Sequence, residues 1–518
     1  MEHSMRRRDF LKWAGAGAAL FSVPFLGGQG RKGMLGSLID SSAAAAGGGQ
    51  YFDRFGMNEA VFRNVLAKGL SRGGDFCELY FEHTISRRTA MEDGQINRAA
   101  GSVDLGAGIR VLKGDATGYA YCEDLTEAAL LAAAETAAAV ADGGPAGSCQ
   151  PIAISSAPDH YSIRVPWSEV GIDRKIPIIE RLNASARAAS PNLVRVSVAL
   201  ADDDSHILVV NSEGLMVEDY RPMALISLTC VGSKDGRTES YRDTLSGRTD
   251  IDFFTEERID DHARYVVSMV EEMFTAIDPP AGELPVVLAP AQSGILLHEA
   301  MGHPMEADFN RKGISMYSNS IGQKIASEHV TIVDDGTNPH MRGSLNIDDE
   351  GAPGQRTVLV ENGIMRSYLH DRISAKHYGL ASTGSGRRQS FRFSPVPRMR
   401  NTYMVAGPHD PQEIIASVPK GLYAETFSNG QVNIGAGDFT FYLQKGRLIE
   451  NGKLTSVVKD ANLIGNGPKV LASIDMVGTD FALFKSGGTC GKDGQGVPVG
   501  FGLPTVRAGA ISIGGRKA

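Results

Sequence analysis

Residues 284–308 read LPVVLAPAQSGILLHEAMGHPMEAD, and this stretch decides the fold of the C-terminal half of the chain. The apolar run at 284–290 predicts a buried strand, and the apolar spacing at 293–301 predicts a helix that follows it directly. Two histidines, His298 and His303, lie at the end of this predicted helix. The stretch therefore predicts a strand that leads into a short helix with polar side chains at its end.

These polar side chains form the pattern H-E-x-x-x-H at 298–303, which is one residue longer than the usual zinc-peptidase pattern. Two residues five positions apart on a regular helix point about 140° apart, so both imidazoles could not face one metal ion. Gly302 favours the end of a helix, and Pro304 disfavours helical backbone at His303. We therefore expect the helix to end at Gly302 and to turn His303 back toward His298.

The same pattern supplies the groups for hydrolysis at a metal ion. Glu299 follows the first histidine, and beside a metal it would take a proton from an activated water molecule. A catalytic zinc site needs three protein ligands and one open position, so the two histidines need a third partner. The candidates are Glu306, Asp308, His329, His340 and Cys490. The alternative is a capped helix end with two polar side chains and no metal.

Cys490 lies in a glycine-rich segment, SGGTCGKDGQGVPVG at 486–500. The glycines let the backbone approach a metal closely, and Lys492 would favour the thiolate, which binds Zn²⁺ well. The alternative for this residue is a buried, inert cysteine. The segment does not match a phosphate-binding loop, because Lys492 is followed by Asp493 rather than Ser or Thr. We therefore expect zinc as the cofactor and no nucleotide.

The rest of the chain alternates irregularly between helix and strand patterns. Helices are predicted at 58–70, with Asn58 as the N-cap, and at 125–141, 167–189 and 256–274. Strands are predicted at 76–84, 194–200, 206–210, 216–220 and 224–231. Asn-Gly pairs at 362–363 and 451–452 predict tight hairpin turns in a half that is mostly strands. This order predicts an α+β fold. We expect an N-terminal α+β domain at 47–282 and a β-rich catalytic domain at 283–518 that carries the short metal-binding helix.

Residues 1–46 have the order of charged, apolar and small residues that is typical of an export signal. The stretch RRRDFLK at 6–12 resembles a twin-arginine signal, which exports proteins already folded. The apolar run at 13–26 is shorter than the roughly 20 residues that span a bilayer, so we expect cleavage within 43–47 and no membrane span afterwards. The alternative is that the N-terminal segment is not cleaved and anchors the protein in the membrane. The mature protein is therefore expected in the periplasm or otherwise outside the cytoplasm.

The length of 518 residues predicts two or more domains. Residues 1–46 hold six of the 52 basic and three of the 60 acidic side chains, so the remainder has 46 and 57 and a net charge of −11. That balance argues against a nucleic-acid partner. The five cysteines are an odd number at scattered spacings and do not form a disulfide framework. No spacing selects a pairing among Cys77, Cys122, Cys149 and Cys230.

The motifs around the predicted site resemble those of the TldD/PmbA family of metallopeptidases. Beside the pattern at 298–303, the similar segments are FNRKG at 309–313, DMVGTD at 475–480, TCGK at 489–492 and VPVG at 497–500. The resemblance implies a zinc ion held by the motif's two histidines and the late cysteine, which match His298, His303 and Cys490. It implies Glu299 as the catalytic base. It also implies an α+β N-terminal domain and a β-rich catalytic domain.

The resemblance has implications for partners as well. The chain keeps the zinc motif, so it is similar to the catalytic, TldD-like members, which pair with a related subunit, TldE or PmbA, that lacks the motif. We therefore expect a homodimer or such a heterodimer, and unfolded or extended peptides as substrates. The resemblance implies a cytoplasmic protein, and the predicted export signal departs from that. Two alternatives remain: a non-catalytic scaffold subunit with a structural metal, and a DNA-associated regulator, against which the acidic charge argues.

Overall fold

The computed structural model describes residues 51–141 and 143–514. The predicted export signal at 1–46 lies outside these residues. These described residues belong to a single unit. The strands of its first sheet all end by residue 247, and the strands of the other sheets begin at residue 282 or later. The division into two domains at residue 282 stays a prediction, and the predicted α+β fold is confirmed.

The first sheet is built on two long strands, β1 and β5, which pair antiparallel from Glu78 opposite Asn211 to Glu92 opposite Ser197. Strand β2 lies on the other side of β1, and β7 and β8 extend the sheet beyond β5. The eight strands are β1 (Phe76–Glu92), β2 (Gln95–Lys113), β3 (Ala116–Cys122), β4 (Ala153–Ser155), β5 (Leu193–Asn211), β6 (Leu215–Tyr220), β7 (Met223–Lys234) and β8 (Arg237–Gly247).

Strand β5 is continuous where the sequence predicted two strands, at 194–200 and 206–210. The acidic run between them belongs to the strand, and Asp202 within it has a charged partner. Asp202 is buried in the sheet, and the buried Lys175 donates a hydrogen bond to its carboxylate. A buried charge is tolerated when it is paired in this way.

Four helices pack on this sheet, and all four were predicted. They are α1 (Glu59–Leu70), α2 (Glu127–Ala138), α3 (Ile172–Ala189) and α4 (Glu256–Met273). Asn58 caps α1 as predicted, because its side chain accepts hydrogen bonds from the backbone N–H groups of Ala60 and Val61. Helix α3 begins later than predicted, since the residues after Pro166 form a separate 3-10 turn.

A closed barrel of five strands forms the body of the C-terminal half. Strand β9 lies between β16 and β24, β19 joins β24 to β17, and β17 closes the ring by pairing with β16. Their bounds are β9 (Gly282–Leu288), β16 (Lys420–Val432), β17 (Asp438–Glu450), β19 (Ala461–Asn466) and β24 (Val506–Gly514). Apolar side chains such as Val286, Leu422, Phe441 and Leu463 belong to the core cluster of this half. Two further strands pair with members of the ring without belonging to it: β18 (Lys453–Val458) pairs with β17, and β20 (Met476–Val477) pairs with β24.

A second sheet carries part of the candidate site. Its order is β12–β11–β10–β15–β23–β21, and β22 pairs with β23. The strands are β10 (Ile332–Asp335), β11 (Arg356–Glu361), β12 (Ile364–Met365), β15 (Asn401–Met404), β21 (Ala482–Leu483), β22 (Gly488–Lys492) and β23 (Gln495–Leu503), and a separate ribbon is formed by β13 (Gly386–Arg387) and β14 (Val396–Pro397). The helices of this half are short: α5 (Gly294–Leu297), α6 (Ala307–Arg311), α7 (Arg372–Tyr378), α8 (Pro411–Ala416) and α9 (Gly467–Ser473).

The two Asn-Gly turns are confirmed. The central residues of both have positive φ, at 49° and 78° for Asn362 and Gly363 and at 51° and 73° for Asn451 and Gly452. Positive φ at both central positions defines the tight hairpin turn that Asn-Gly favours.

None of the helices within residues 51–141 and 143–514 combines the length and the apolar character that a membrane span requires.

Two glycines bring the predicted metal helix directly onto β23. A Cβ atom added to Gly294, the first residue of α5, would lie 2.6 Å from the backbone nitrogen of Gly502. Gly502 is itself in β23, three residues after Val499, the last position that pairs with β22. Because backbone atoms cannot move aside as a flexible side chain can, only glycine allows this close approach.

We expect Gly294→Ala to destabilise the protein by about 1–3 kcal/mol through overpacking. Alanine normally stabilises a helix by up to about 1 kcal/mol relative to glycine, so the expected sign is the reverse of helix propensity. Thermal or denaturant unfolding measures the change. Gly144→Ala is the control, because its added Cβ would be no closer than 3.5 Å to its nearest neighbour. Equal unfolding midpoints for the parent and the Gly294 variant would show that the approach is not tight.

Candidate metal centre

Three of the residues that the sequence predicts as metal ligands lie close together in the structure. One ligand atom from each of His298, His303 and Cys490 lies within 4.8 Å of the other two, and all three residues are buried. The Sγ atom of Cys490 is 3.2 Å from Nε2 of His303. In the part of the chain that the structure describes, no other group of three potential metal ligands comes together.

The helix does not end at Gly302, so that part of the prediction is wrong. The backbone stays helical at Gly302 (φ −63°, ψ −54°) and at His303 (φ −58°, ψ −45°). Residues His298–Gly302 form a π-helical turn, in which the N–H of His303 donates to the carbonyl of His298, five residues earlier. Pro304 is tolerated because it lies in the first positions of the 3-10 turn His303–Met305, where no backbone donor is needed.

The π turn explains how a motif that is one residue longer can still bring both histidines to the same side of the helix. A π turn contains one residue more than an α turn, so residues five apart stand where residues four apart stand on an α-helix. The rings of His298 and His303 therefore lie together, with centroids 5.3 Å apart. The convergence that the sequence required is present, although a widened helix rather than a helix end produces it.

Cys490 comes from strand β22, where it lies opposite Val497 of β23. Burial by itself raises the pKa of its thiol, but His298 and His303 together lower that pKa to about 5. The sequence assigned this effect to Lys492. In the structure the Lys492 ammonium instead donates to Asp308 and lies 3.1 Å from Glu306. The two histidines thus favour the thiolate.

Glu306 was a candidate for the third ligand, but in the structure it is not among the converging ligand atoms. Its Oε2 atom is 3.0 Å from Nδ1 of His303, on the side of the ring away from Cys490. Burial raises the pKa of this carboxyl, but Lys492 and His303 outweigh burial and lower the pKa to about 2. A buried carboxylate thus orients the His303 ring. The signal in the sequence was the spacing of three residues, which places both side chains on one helix face.

The other candidates for the third ligand lie elsewhere. Asp308 pairs with Lys492. His329 packs against His409, with ring centroids 4.9 Å apart. Nδ1 of His340 is 3.0 Å from the backbone carbonyl of Arg248. Of the five candidates, only Cys490 joins the two histidines.

Glu299 borders the point where the ligand atoms meet. Its side chain is half-buried, and its Oε2 is 3.9 Å from Nε2 of His303, the ring nitrogen that faces Cys490. It is not one of the three converging ligands. A carboxylate in this position can contact a water molecule at the site without binding the metal itself.

The donor set fits a metal ion. Two imidazoles and a thiolate are ligand types that zinc binds at catalytic sites with an open fourth position. Nδ1 of His298 is buried and has no hydrogen-bond partner among the described residues. A buried polar atom without a partner costs stability unless an ion or ligand completes it. All five cysteines are free, so Cys490 is not used in a disulfide.

A helix with H-E-x-x-x-H, a potential third ligand on a neighbouring strand and an adjoining carboxylate are the features of a metallopeptidase site. The sequence models of the PmbA/TldA metallopeptidase domain 1, central domain and C-terminal domain match residues 77–141, 165–274 and 281–515. The chain belongs to this PmbA/TldD family, and the resemblance stated from the motifs is confirmed.

Individual similar proteins support the same family assignment. A metalloprotease TldD homologue of Buchnera aphidicola is 37% identical over 458 residues, which cover 87% of this chain and 95% of the relative. A zinc metalloprotease TldD homologue of Saccharolobus solfataricus is 29% identical over 66% of this chain and 76% of its own. The crystal structure of TldE from Thermococcus kodakarensis superposes with a TM-score of 0.70 at 20% identity, covering 88% of this chain and all of that one. The chain is thus similar to named metalloproteases along most of its length.

Proposed function

We propose that this metallopeptidase depends on zinc and hydrolyses unfolded or extended peptides. The observation that carries the proposal is the convergence of His298, His303 and Cys490 beside Glu299. The Saccharolobus relative is named a zinc metalloprotease, which supports the choice of metal.

His298, His303 and Cys490 would hold the ion, which when bound lowers the pKa of a water molecule and polarises the scissile carbonyl. Glu299 accepts the proton of that water and passes it to the leaving amine. Glu306 accepts a hydrogen bond from Nδ1 of His303, which holds the ring with Nε2 turned toward Cys490. A thiolate ligand adds negative charge that a neutral imidazole would not, so turnover is expected to be slow.

The burial of the site supports extended peptides as substrates. His298, His303 and Cys490 are 1%, 7% and 4% exposed. The surface of a folded protein cannot reach ligands at that depth, whereas a single extended chain can enter a narrow cleft. An extended chain can also be held by main-chain hydrogen bonds to a strand edge, which makes little demand on its side chains.

The proposed assembly is a dimer with a TldE-like relative or with a second copy of this chain. Similarity of fold to the TldE of Thermococcus kodakarensis supports a partner of that type, because related folds commonly pair through matching surfaces. A non-catalytic scaffold is the second candidate. A structural zinc needs four protein ligands and no neighbouring base, whereas three ligands converge here next to Glu299.

The experiment that tests the proposal is peptide digestion with and without a chelator. The purified protein, alone and mixed with a TldE-like relative, is offered a short unfolded peptide and a stable folded protein. We expect cleavage of the peptide, none of the folded protein, and loss of cleavage after chelation. Cleavage that resists the chelator would contradict zinc dependence, and no cleavage under either condition would favour the scaffold.

Export by the twin-arginine pathway is a further part of this proposal, and it rests on the stretch RRRDFLK at 6–12. A reporter fused to residues 1–46 should be translocated, and Arg7→Lys with Arg8→Lys should stop it, because the pathway reads the arginine pair. Arg6→Lys is the matched control and should leave export intact. Translocation in cells that lack the twin-arginine translocase would refute the pathway.

A further inference from the structure

Four buried charged side chains adjoin the three proposed ligands, and we call them the charge cluster: Glu306, Asp308, Arg398 and Lys492. All four are less than a tenth exposed. Two are acidic and two are basic, so the charges balance. Burying charges without such balance would cost several kcal/mol for each ion, so a cluster of this kind requires close pairing.

Lys492 is the centre of the charge cluster. Its Nζ lies 2.7 Å from Asp308 Oδ1, 3.1 Å from Glu306 Oε2 and 3.0 Å from the carbonyl oxygen of Pro397. An ammonium group has three protons to donate, and here it has three acceptors. Lys492 follows Cys490 by two residues on β22, and both are buried, as expected for side chains on one face of a strand.

Glu306 connects Lys492 to the helix that carries the histidines. The same carboxylate oxygen that contacts Lys492 is 3.0 Å from Nδ1 of His303. Its other oxygen is 3.9 Å from Nε of Arg398. The position of the His303 ring is therefore linked through one carboxylate to the strand that supplies the cysteine.

Arg398 makes the second connection to that strand. Its guanidinium donates to the backbone carbonyl of Cys490 and, over 3.3 Å, to that of Gln495 on β23. Arg398 thus contacts both strands of the β22–β23 hairpin while its Nε faces Glu306. Among the described strands, β22 pairs with β23 alone, so its other edge lacks the support of a sheet neighbour.

We infer that the charge cluster positions the two elements that hold the metal, with Glu306 as the shared partner of His303 and Lys492 and with Arg398 beside it. These elements are 187 residues apart in sequence at His303 and Cys490. A metal site tolerates only small errors in ligand position, and partners outside the ligand shell commonly change metal affinity about 10–100-fold. The inference rests on the proposed zinc site and assigns these residues a positioning role.

The test measures zinc affinity by competition with a chromophoric chelator, and the absorption spectrum of the Co²⁺-substituted protein, which reports thiolate ligation. We expect Glu306→Ala to weaken zinc binding about 10–100-fold and to change the cobalt spectrum. Glu306→Gln should lose less, because the amide oxygen can still accept a hydrogen bond from the His303 ring.

A second variant with balanced charges tests the inference even if Glu306→Ala fails to fold. Asp308→Asn combined with Lys492→Met removes one charge of each sign and also the contact with Glu306, so zinc binding should weaken about tenfold or more. Asp334→Asn is the matched control, because it breaks a buried pair with Arg400 in the same half of the chain. It should lower stability and leave the zinc affinity and cobalt spectrum of the folded protein unchanged.

Parental zinc affinity and cobalt spectrum in Glu306→Ala and in the double variant would overturn the inference while leaving the zinc site intact. An equal loss of zinc affinity in Asp334→Asn would overturn it too, since the effect would then be general destabilisation. If the parent itself bound no zinc, the proposed function would fail. The two failures are therefore distinguishable.

Discussion

Peptide hydrolysis by Glu299→Gln should fall about 100-fold or more, while zinc stays bound at the parental level. Glutamine has nearly the same shape as glutamate but cannot accept the proton of the attacking water, and general base catalysis contributes roughly 10²–10⁴-fold. Zinc is retained because Glu299 is not one of the converging ligands. The measurements are the initial rate on an unfolded peptide and the zinc content of the same sample.

The control for this variant is Glu361→Gln, at the end of β11, where the carboxylate pairs with Arg366 on the surface. Its rate should equal that of the parent. Both proteins must be assayed alone and with a TldE-like partner, because the proposed assembly includes a second subunit. A parental rate for Glu299→Gln under either condition would remove the role of general base and, with it, the proposed mechanism.

His298→Ala and Cys490→Ala should each lose both zinc and hydrolysis. A catalytic zinc site has only three protein ligands, so the removal of one leaves two, which is too few to retain the ion through dialysis. We expect about one zinc ion per chain in the parent and close to none in either variant. Elemental analysis of the dialysed proteins measures this, and peptide cleavage should fall in proportion to the zinc content.

The matched controls are His329→Ala and Cys149→Ala, since neither residue is among the converging ligands. His329 packs on His409, and Cys149 packs at the edge of a core cluster in the N-terminal half. Both variants should keep zinc and activity. Full zinc content in Cys490→Ala would mean that the ion sits elsewhere or has a different third ligand.

The architecture followed from the sequence where local rules decide the structure. The capping side chain of Asn58 and the apolar spacing of the four helices on the first sheet predicted those helices well. The Asn-Gly pairs predicted the two hairpin turns for the same reason, because few other residues accept positive φ at both positions. Closure of the five-stranded barrel could not be predicted in this way, since pairings such as β9 with β24 join distant parts of the chain.

The candidate site shows the same division between local and tertiary causes. Spacing alone identified His298, Glu299 and His303 but left five candidates for the third ligand, because Cys490 is 187 residues from His303. Only the family resemblance selected it. The rule that glycine and proline end helices failed at Gly302, whose close packing against Met399 is a tertiary contact. The orienting role of Glu306 depends on Lys492 and Arg398, which no local pattern connects to it.

Titration of the metal-free protein with Zn²⁺, while the cleavage of an unfolded peptide is followed, tests the central claim most directly. If His298, His303 and Cys490 hold one catalytic ion, activity should start near zero, rise with added zinc and reach its maximum at about one equivalent per chain. The same titration of Cys490→Ala should give no comparable rise. Full activity in the metal-free protein, or a maximum that does not depend on Cys490, would contradict the account.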